Sequence, residues 1–243
     1  RYGTDLNENK FFFFFLNEIS KINEIQIVRV LYLYPDEITD RLIDEIKNNP
    51  KVTKYFDIPI QHASNKILKA MNRRGSKEFI SNLITKIKNN IPDAIIRTTL
   101  IVGFPDEDEQ DFNELYDFIS KHQFNRLGVF TYSDEEDTKG YNMYPKINED
   151  IMLQRKEKIM LLQNDISNKL NHLTIGKSYN AIVDKYDYQR KCYIVRNYAY
   201  APDDVDGCIY IKTDFDENIK IGSIQQITII SANSYDLFAK FNK

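Results

Sequence analysis

The sequence contains no tryptophan, only two cysteines and no long apolar run. Cys192 and Cys208 are too few for a disulfide framework, so we expect the reducing environment of the cytoplasm. No apolar stretch approaches the roughly 20 residues that a membrane-spanning helix needs, and we predict no membrane partner. The formal net charge of −3 argues against a nonspecific binder of polyanions. A chain of 243 residues can still bury one large core together with a small module.

What the sequence does contain is an alternation of extended and helical patterns. Apolar, extended stretches cover residues 27–34, 55–61, 95–104 and 127–132, and apolar residues at helical spacing lie between them. Strands that alternate with helices form parallel sheets, in which the loops after the strands lie on one rim. We therefore predict an α/β domain over residues 1–173, with its binding residues at that rim.

The pattern changes after a long helix, which the spacing of apolar residues predicts over about 149–171. From Gly176 onward, short β-rich pieces are separated by turn residues, and Asp206-Gly207 is the strongest hairpin signal. A piece of about 70 residues with this pattern predicts a small antiparallel β-barrel of OB-like size, which we place at 174–243.

Residues 97–112, RTTLIVGFPDEDEQDF, are the most informative segment. Its apolar residues 100–102 predict a strand that is covered on both faces. Gly103 permits close backbone approach, and Pro105 ends the strand. The carboxylates at 106–109 suit the positive end of a following helix and a solvated helix face. Ligands bind at strand ends of this kind in parallel α/β folds.

Several blocks of the sequence, in order, resemble the radical-SAM methylthiotransferases. Residues 97–112 are similar to that family's strand-five pattern, I-R-T-T-x-I-V-G-F-P-G-E-x-E-x-D-F. The other similar blocks are residues 1–3 (RYG), 28–35 (VRVLYLYP), 57–64 (DIPIQHAS) and 126–133 (RLGVFTYS), together with turn residues near 201–207 and 235–237 that resemble the family's TRAM domain. The details resemble the branch that modifies an aspartate of the twelfth small-subunit ribosomal protein more than the branch that modifies adenosine in tRNA. The resemblance implies a partial radical-SAM (β/α) barrel followed by a TRAM barrel.

The resemblance also implies S-adenosyl-L-methionine as cofactor, with 4Fe-4S clusters in the full-length enzyme. Val102, Gly103 and Phe104 would pack against the adenine or offer it backbone contacts. Tyr132 would close the other side of the site. Gln61 and His62 would hydrogen-bond the ribose or the methionyl group.

No catalytic side chain and no metal ligand is predicted in this chain. The cluster needs thiolate ligands, and the family's C-x-x-x-C-x-x-C triplet is absent from the sequence. We therefore expect a fragment of a methylthiotransferase that lacks the cluster-binding N-terminal part and is inactive alone.

Further expectations concern three charged residues, Arg97, Asp106 and Asp137. Arg97 lies within a predicted strand, where an unpaired charge is costly, so we expect either an ion pair with a carboxylate such as Asp57 or a contact with a carboxylate of the cofactor. Asp106 and Asp137 each stand where the family has glycine. Aspartate is among the less costly replacements at a position with positive φ.

The charge of the predicted barrel bears on the substrate. Between Gly176 and Lys243, nine basic residues balance nine acidic ones. A barrel that grips tRNA should be basic, so neutrality favours docking on a basic ribosomal protein, through a face that carries Asp203, Asp204 and Asp206. Two alternatives stay open: a tRNA adenosine methylthiotransferase, and a cluster-free module that only docks. Nothing in the sequence indicates the electron donor or the sulfur source.

Overall fold

Most helices of the chain begin at a residue that caps them. The computed structural model describes residues 12–202 and 205–242. Side chains of Thr39, Ser64, Ser76 and Asp108 each accept a hydrogen bond from a backbone N–H of the first helical turn. The helices are α1 (Phe12–Ser20), α2 (Asp40–Asn48), α3 (Asn65–Ala70), α4 (Lys77–Asn90), α5 (Glu109–His122) and α6 (Glu149–His172). The last of these confirms the predicted long helix.

Three parallel strands form the sheet of the first part of the chain. They are β1 (Tyr55–Asp57), β2 (Ile95–Val102) and β3 (Arg126–Thr131), in the order β1-β2-β3. The register aligns Tyr55 with Ile95 and Val102 with Thr131, so the C-terminal ends of β2 and β3 lie side by side. Residues of β2 alternate between buried and half-buried. The prediction that both faces of this strand are covered is therefore wrong for one face.

The strand predicted at 27–34 is not a regular strand. Within the described residues this segment makes one isolated bridge, Val28 to Val52. Tyr32 has a left-handed backbone with φ of 59°, and its N–H donates to Asp57 Oδ2 at 3.2 Å. The next amide, that of Leu33, returns to the sheet and donates to Asp57 O at 2.8 Å. The Asp57 carboxylate thus takes the place of one backbone acceptor, and the regular strand is interrupted at Tyr32.

Five strands at the C-terminal end close into a small barrel. They are β4 (Ser178–Asp187), β5 (Cys192–Arg196), β6 (Ile209–Lys212), β7 (Ile224–Ala232) and β8 (Leu237–Phe241), in the order β4-β5-β6-β8-β7. The pairs are antiparallel except for β6 with β8, which is parallel. Alternate residues of the strands point inward and form an apolar core that includes Val183, Tyr193 and Ile227. The predicted small barrel is confirmed, with one parallel pair that the sequence did not indicate.

Asp206-Gly207 is not the tight hairpin that we predicted. β5 ends at Arg196 and β6 begins only at Ile209, whereas short turns join β4 to β5 at 188–191 and β7 to β8 at 233–236. Asp206 is buried because its Oδ2 accepts the Ala201 N–H at 2.9 Å. Gly207 has φ of 94°, and a Cβ there would lie 2.9 Å from the Tyr235 carbonyl carbon. This pair of residues therefore fixes the entry into β6.

By its internal contacts the chain divides into two compact units, one ending at Leu162 and the other beginning at Gln163. The boundary that we expect at residue 173 stays a prediction. Among the described residues, no helix is both long enough and apolar enough to span a membrane.

Candidate functional site

A cleft of about 410 Å³ opens at the C-terminal ends of β2 and β3. Its walls come from the segment after β1, the end of α3, the strand ends and the loop that follows β3. The lining residues are Gln61, Ala70, Met71, Asn72, Arg73, Ile101, Phe104, Tyr132, Ser133, Glu135, Thr138, Lys139 and Gly140. A concave surface therefore lies at the predicted rim of the sheet, beside a larger cavity of about 560 Å³ that Tyr34, Pro59 and Arg74 help to line.

Gln61 brings an unsatisfied acceptor to this cleft. Its backbone has φ of 67° and forms a parallel bridge to β2, with Gln61 N donating to Thr99 O and Gln61 O accepting from Ile101 N. Its side-chain Oε1 is buried and has no hydrogen-bond partner among the described residues. Because an unpaired buried acceptor is costly, this atom fits a ligand that donates an amino or hydroxyl hydrogen.

Phe104 and Tyr132 form an aromatic wall of the cleft. Their ring centroids are 5.0 Å apart and the planes meet at 72°, an edge-to-face arrangement. The Tyr132 N–H donates to Val102 O at 2.8 Å, which ties this wall to the end of β2. Burial raises the pKa of Tyr132, and so does a hydrogen bond to Asp134, so the phenol stays protonated at neutral pH. The pair offers an apolar surface with one hydroxyl.

Val102 and Gly103 do not line the cleft. Val102 is fully buried in the sheet. The Gly103 N–H donates to Glu107 Oε2 at 2.8 Å and is thereby already used. Gly103 has φ of 78°, and a Cβ at this position would lie 2.7 Å from Met152 Sδ. The glycine is thus required both by its backbone conformation and by the close approach of α6.

His62 is also absent from the cleft wall. Its ring is completely buried, Nδ1 accepts the Ser64 N–H at 2.9 Å, and Nε2 lies 3.5 Å from Glu107 Oε2. Because Nδ1 is an acceptor, a neutral ring carries its proton on Nε2, facing the carboxylate. His62 therefore lies outside the cleft, where it contacts Glu107, the residue that binds the end of β2.

Glu107 is the centre of this buried polar group, and the sequence did not single it out. Its Oε1 accepts from Arg155 Nη1 at 2.8 Å, while Oε2 accepts from Gly103 N and, at 3.3 Å, from Phe104 N. We expected the acidic residues at 106–109 to be solvated, and Glu107 corrects this because it is 2% exposed. The available signal was its place directly after the Gly-Phe-Pro turn, where the family pattern also has glutamate.

The other charged residues behave as predicted. Arg97 Nη1 lies 3.1 Å from Asp57 Oδ1, which confirms the expected ion pair. Asp106 and Asp137 have φ of 66° and 65°, the left-handed conformation in which glycine is preferred. Asp108 caps α5 in a capping box with Asp111, as a carboxylate at a helix N-terminus should.

The site fits a nucleoside and does not fit an iron–sulfur cluster. The unsatisfied acceptor of Gln61 and the aromatic wall suit a ring system with exocyclic donors. Among the described residues, no group of three or more His, Cys, Asp or Glu side chains could hold a metal ion. Both cysteines are buried in the small barrel, away from β2 and β3 in sequence.

Two family models match the chain. The Radical SAM superfamily model matches residues 4–119, and the TRAM domain model matches residues 175–241. A solved archaeal structure, Methanocaldococcus infernus Elp3 with an N-terminal deletion, has a TM-score of 0.46 at 18% identity and covers 58% of this chain and 35% of its own.

Several curated relatives carry the name ribosomal protein uS12 methylthiotransferase RimO. The protein from Acetivibrio thermocellus is 44% identical over 239 residues, which are 98% of this chain and 52% of the relative. That of Caldanaerobacter subterraneus subsp. tengcongensis is 41% identical over 241 residues, 99% of this chain and 54% of the relative. The chain thus spans about half the length of the curated relatives that it matches. The chain therefore carries a Radical SAM domain followed by a TRAM domain, in the expected order, and is similar along nearly its whole length to RimO proteins.

Proposed function

We propose that this chain forms the nucleoside-binding part of a radical-SAM methylthiotransferase that adds a methylthio group to an aspartate of ribosomal protein uS12. The observation that carries the proposal is the cleft that is lined both by the aromatic pair Phe104 and Tyr132 and by Gln61, whose buried Oε1 has no hydrogen-bond partner among the described residues. The name shared by the aligned relatives supports the choice of substrate. When bound, S-adenosylmethionine together with a 4Fe-4S cluster supplies radical chemistry that side chains cannot provide.

The residues of this chain bind and orient the nucleoside. Phe104 and Tyr132 offer the base an apolar surface, and Gln61 Oε1 accepts a hydrogen from an amino or hydroxyl group. Val102 and Gly103 contribute to the site only indirectly. The Val102 carbonyl and the Gly103 N–H are bonded within the protein, and these bonds fix the backbone at the end of β2. His62 does not line the cleft, and its role is to position Glu107 through their contact. The described residues offer no ligand set for the cluster, so no reaction step is assigned to them.

Equilibrium titration of the chain with S-adenosylmethionine and with 5′-deoxyadenosine tests the nucleoside site. Gln61→Leu and Phe104→Ala should each weaken binding by about tenfold, the effect of losing one hydrogen bond or one ring contact. Gln189→Leu, in the exposed turn between β4 and β5, is the matched control and should bind like the wild type. Wild-type binding that neither cleft variant weakens would place the nucleoside elsewhere.

We further propose that the TRAM barrel docks on the basic ribosomal protein. The predicted docking face needs correction, because Asp206 is buried and residues 203–204 lie outside the described residues. An exposed acidic and aromatic surface lies elsewhere on the barrel. It comprises Tyr188, Phe215 and the carboxylates of Asp214 and Glu217. The Tyr188 and Phe215 rings are 5.8 Å apart, so a lysine or arginine of a partner could meet both a ring and a carboxylate there.

Binding of the chain to purified uS12 and to tRNA distinguishes the two substrate classes. The double variant Asp214→Asn/Glu217→Gln should weaken uS12 binding several-fold and make it less dependent on salt. The matched control is Asp165→Asn, which changes an exposed carboxylate on α6. Tighter binding to tRNA than to uS12, with a steep salt dependence, would favour the tRNA-modifying branch instead.

A further inference from the structure

Residues 133–146 connect β3 to the start of α6 and form one wall of the cleft. Ser133, Glu135, Thr138, Lys139 and Gly140 all line it. Apart from the short 3-10 turn Gly140–Asn142, this segment has no regular secondary structure, and side-chain contacts add to its few backbone hydrogen bonds. The question is which contacts bring it against the strand ends.

Lys146 contacts both ends and the middle of the segment. Its Nζ forms an ion pair with Asp134 at the beginning and donates to Gly140 O at 2.9 Å in the middle. The same Nζ lies 5.6 Å from the ring centroid of Tyr132, 5.8 Å from that of Tyr141 and 5.7 Å from that of Tyr144. One ammonium group therefore has two oxygen partners and three aromatic rings around it.

The middle of the segment packs directly on the cleft wall. A Cβ at Gly140 would overlap the Tyr132 hydroxyl and lie 3.2 Å from Tyr132 Cζ, so only glycine allows this approach. Because Lys146 bonds the Gly140 carbonyl and faces the Tyr132 ring, it holds both sides of this contact. Tyr132 in turn packs edge-to-face on Phe104.

An ordinary surface ion pair would not have this effect, because two mobile, solvated side chains gain little from pairing. Lys146 differs in that its side chain is 27% exposed and is surrounded by several groups of one loop. The pKa of Asp134 is lowered chiefly by the hydrogen bond from Lys146, so this carboxylate stays ionised across the physiological range.

We propose that Lys146 is a positioning residue, which holds the 133–146 segment against Tyr132 and thereby preforms one wall of the nucleoside cleft. The inference rests on the proposed function for the identity of the ligand. Its structural part, the hold of Lys146 on the segment, stands on the contacts alone.

Amide exchange and nucleoside titration of the same variants test the proposal. The amides of Thr138, Asn142 and Met143 donate within the segment and report on its order. Lys146→Met should accelerate their exchange about tenfold and weaken 5′-deoxyadenosine binding about five- to tenfold, as expected when a partly buried cation loses its rings and carboxylate. Lys146→Arg keeps the cation and should restore both to within about threefold of wild type. Lys47→Met, an exposed lysine of α2, should change neither.

Each outcome has a distinct meaning. Unchanged exchange in Lys146→Met would refute the hold of Lys146 on the segment. Faster exchange with unchanged binding would refute the role of the segment as a cleft wall. If the wild-type chain binds no nucleoside, the proposed function fails, whereas the exchange comparison still decides whether Lys146 orders the segment.

Discussion

Glu107→Gln should destabilise the first unit by about 2–3 kcal/mol. The carboxylate accepts from Arg155, Gly103 and Phe104, and Arg155 has a side chain that is only 7% exposed. An isosteric amide keeps one acceptor but turns an NH2 group toward either the guanidinium or the strand-end N–H groups. Removing one partner of a buried pair costs about 3–5 kcal/mol, and an unsatisfied buried N–H costs about 1–3 kcal/mol. Because the amide retains part of these contacts, we expect a cost of about 2–3 kcal/mol, which is less than the cost of removing one partner of the buried pair.

Glu109→Gln is a matched control on the same helix. Its Oε2 lies 3.6 Å from Arg155 Nη2, so it shares the cation with Glu107, but its side chain is 67% exposed. A solvated pair of this kind contributes less than about 1 kcal/mol. The double variant Glu107→Gln/Arg155→Met removes both buried charges and should be less destabilised than the sum of the single variants, with a coupling of about 1–3 kcal/mol.

Urea unfolding followed by far-UV circular dichroism measures these differences. Because the chain has two compact units, two transitions have to be fitted, and exchange of the Gly103 amide identifies the one that contains β2. If Glu107→Gln unfolds within about 0.5 kcal/mol of Glu109→Gln and the Gly103 amide stays protected, Glu107 does not hold the strand end.

Two other perturbations follow from the same geometry. Gly103→Ala should cost about 2–4 kcal/mol in urea unfolding, because it combines a left-handed backbone with overlap on Met152. The control Gly222→Ala, at a glycine with φ of 83° and no neighbour within 4 Å, should cost only about 1–2 kcal/mol. Equal costs for the two variants would contradict the packing explanation. Burial lowers the pKa of His122 from 6.5 to about 4, so its neutral ring stabilises the fold fully above pH 6.5, and that contribution is lost as the pH falls toward 4. His122→Phe should flatten this part of the stability profile, and an unchanged slope between pH 6.5 and 4 would contradict the assignment.

Local signals predicted the regular elements well. The helices α2 and α4 have apolar faces that repeat at helical spacing, and the local sequence carries that signal. The segment at 27–34 has an equally apolar pattern but not the predicted structure. The cause is Asp57, a residue 25 positions from Tyr32, whose carboxylate takes a backbone N–H. A contact at that separation leaves no trace in the local pattern.

Adjacent residues at the strand end illustrate a second limit. Gln61 and His62 both follow β1 and both can donate and accept hydrogen bonds, so the sequence favours Gln61 only slightly over His62 as a ligand-binding residue. The backbone at Gln61 is left-handed, with φ of 67°, so the alternation of an extended strand does not predict the directions of these two side chains. In the structure Gln61 lines the cleft, whereas His62 lies behind it with no exposed surface. Only the register of the bridge from Gln61 to Leu100 decides which residue has which side.

The acidic residues at 106–109 show how one turn assigns four similar side chains to different tasks. Asp106 adopts the left-handed conformation, which reverses the chain after Pro105. The reversal carries Glu107 back beneath the end of β2, where Gly103 and Phe104 present N–H groups that the sheet leaves unpaired. Asp108 then caps α5, and Glu109 remains in solvent. The composition of this stretch does not distinguish the four carboxylates. The backbone turn at Asp106 determines that Glu107 is the one that is buried. It follows that the cleft depends on a residue that does not line it, because Glu107 fixes the strand end from which Phe104 reaches the aromatic wall.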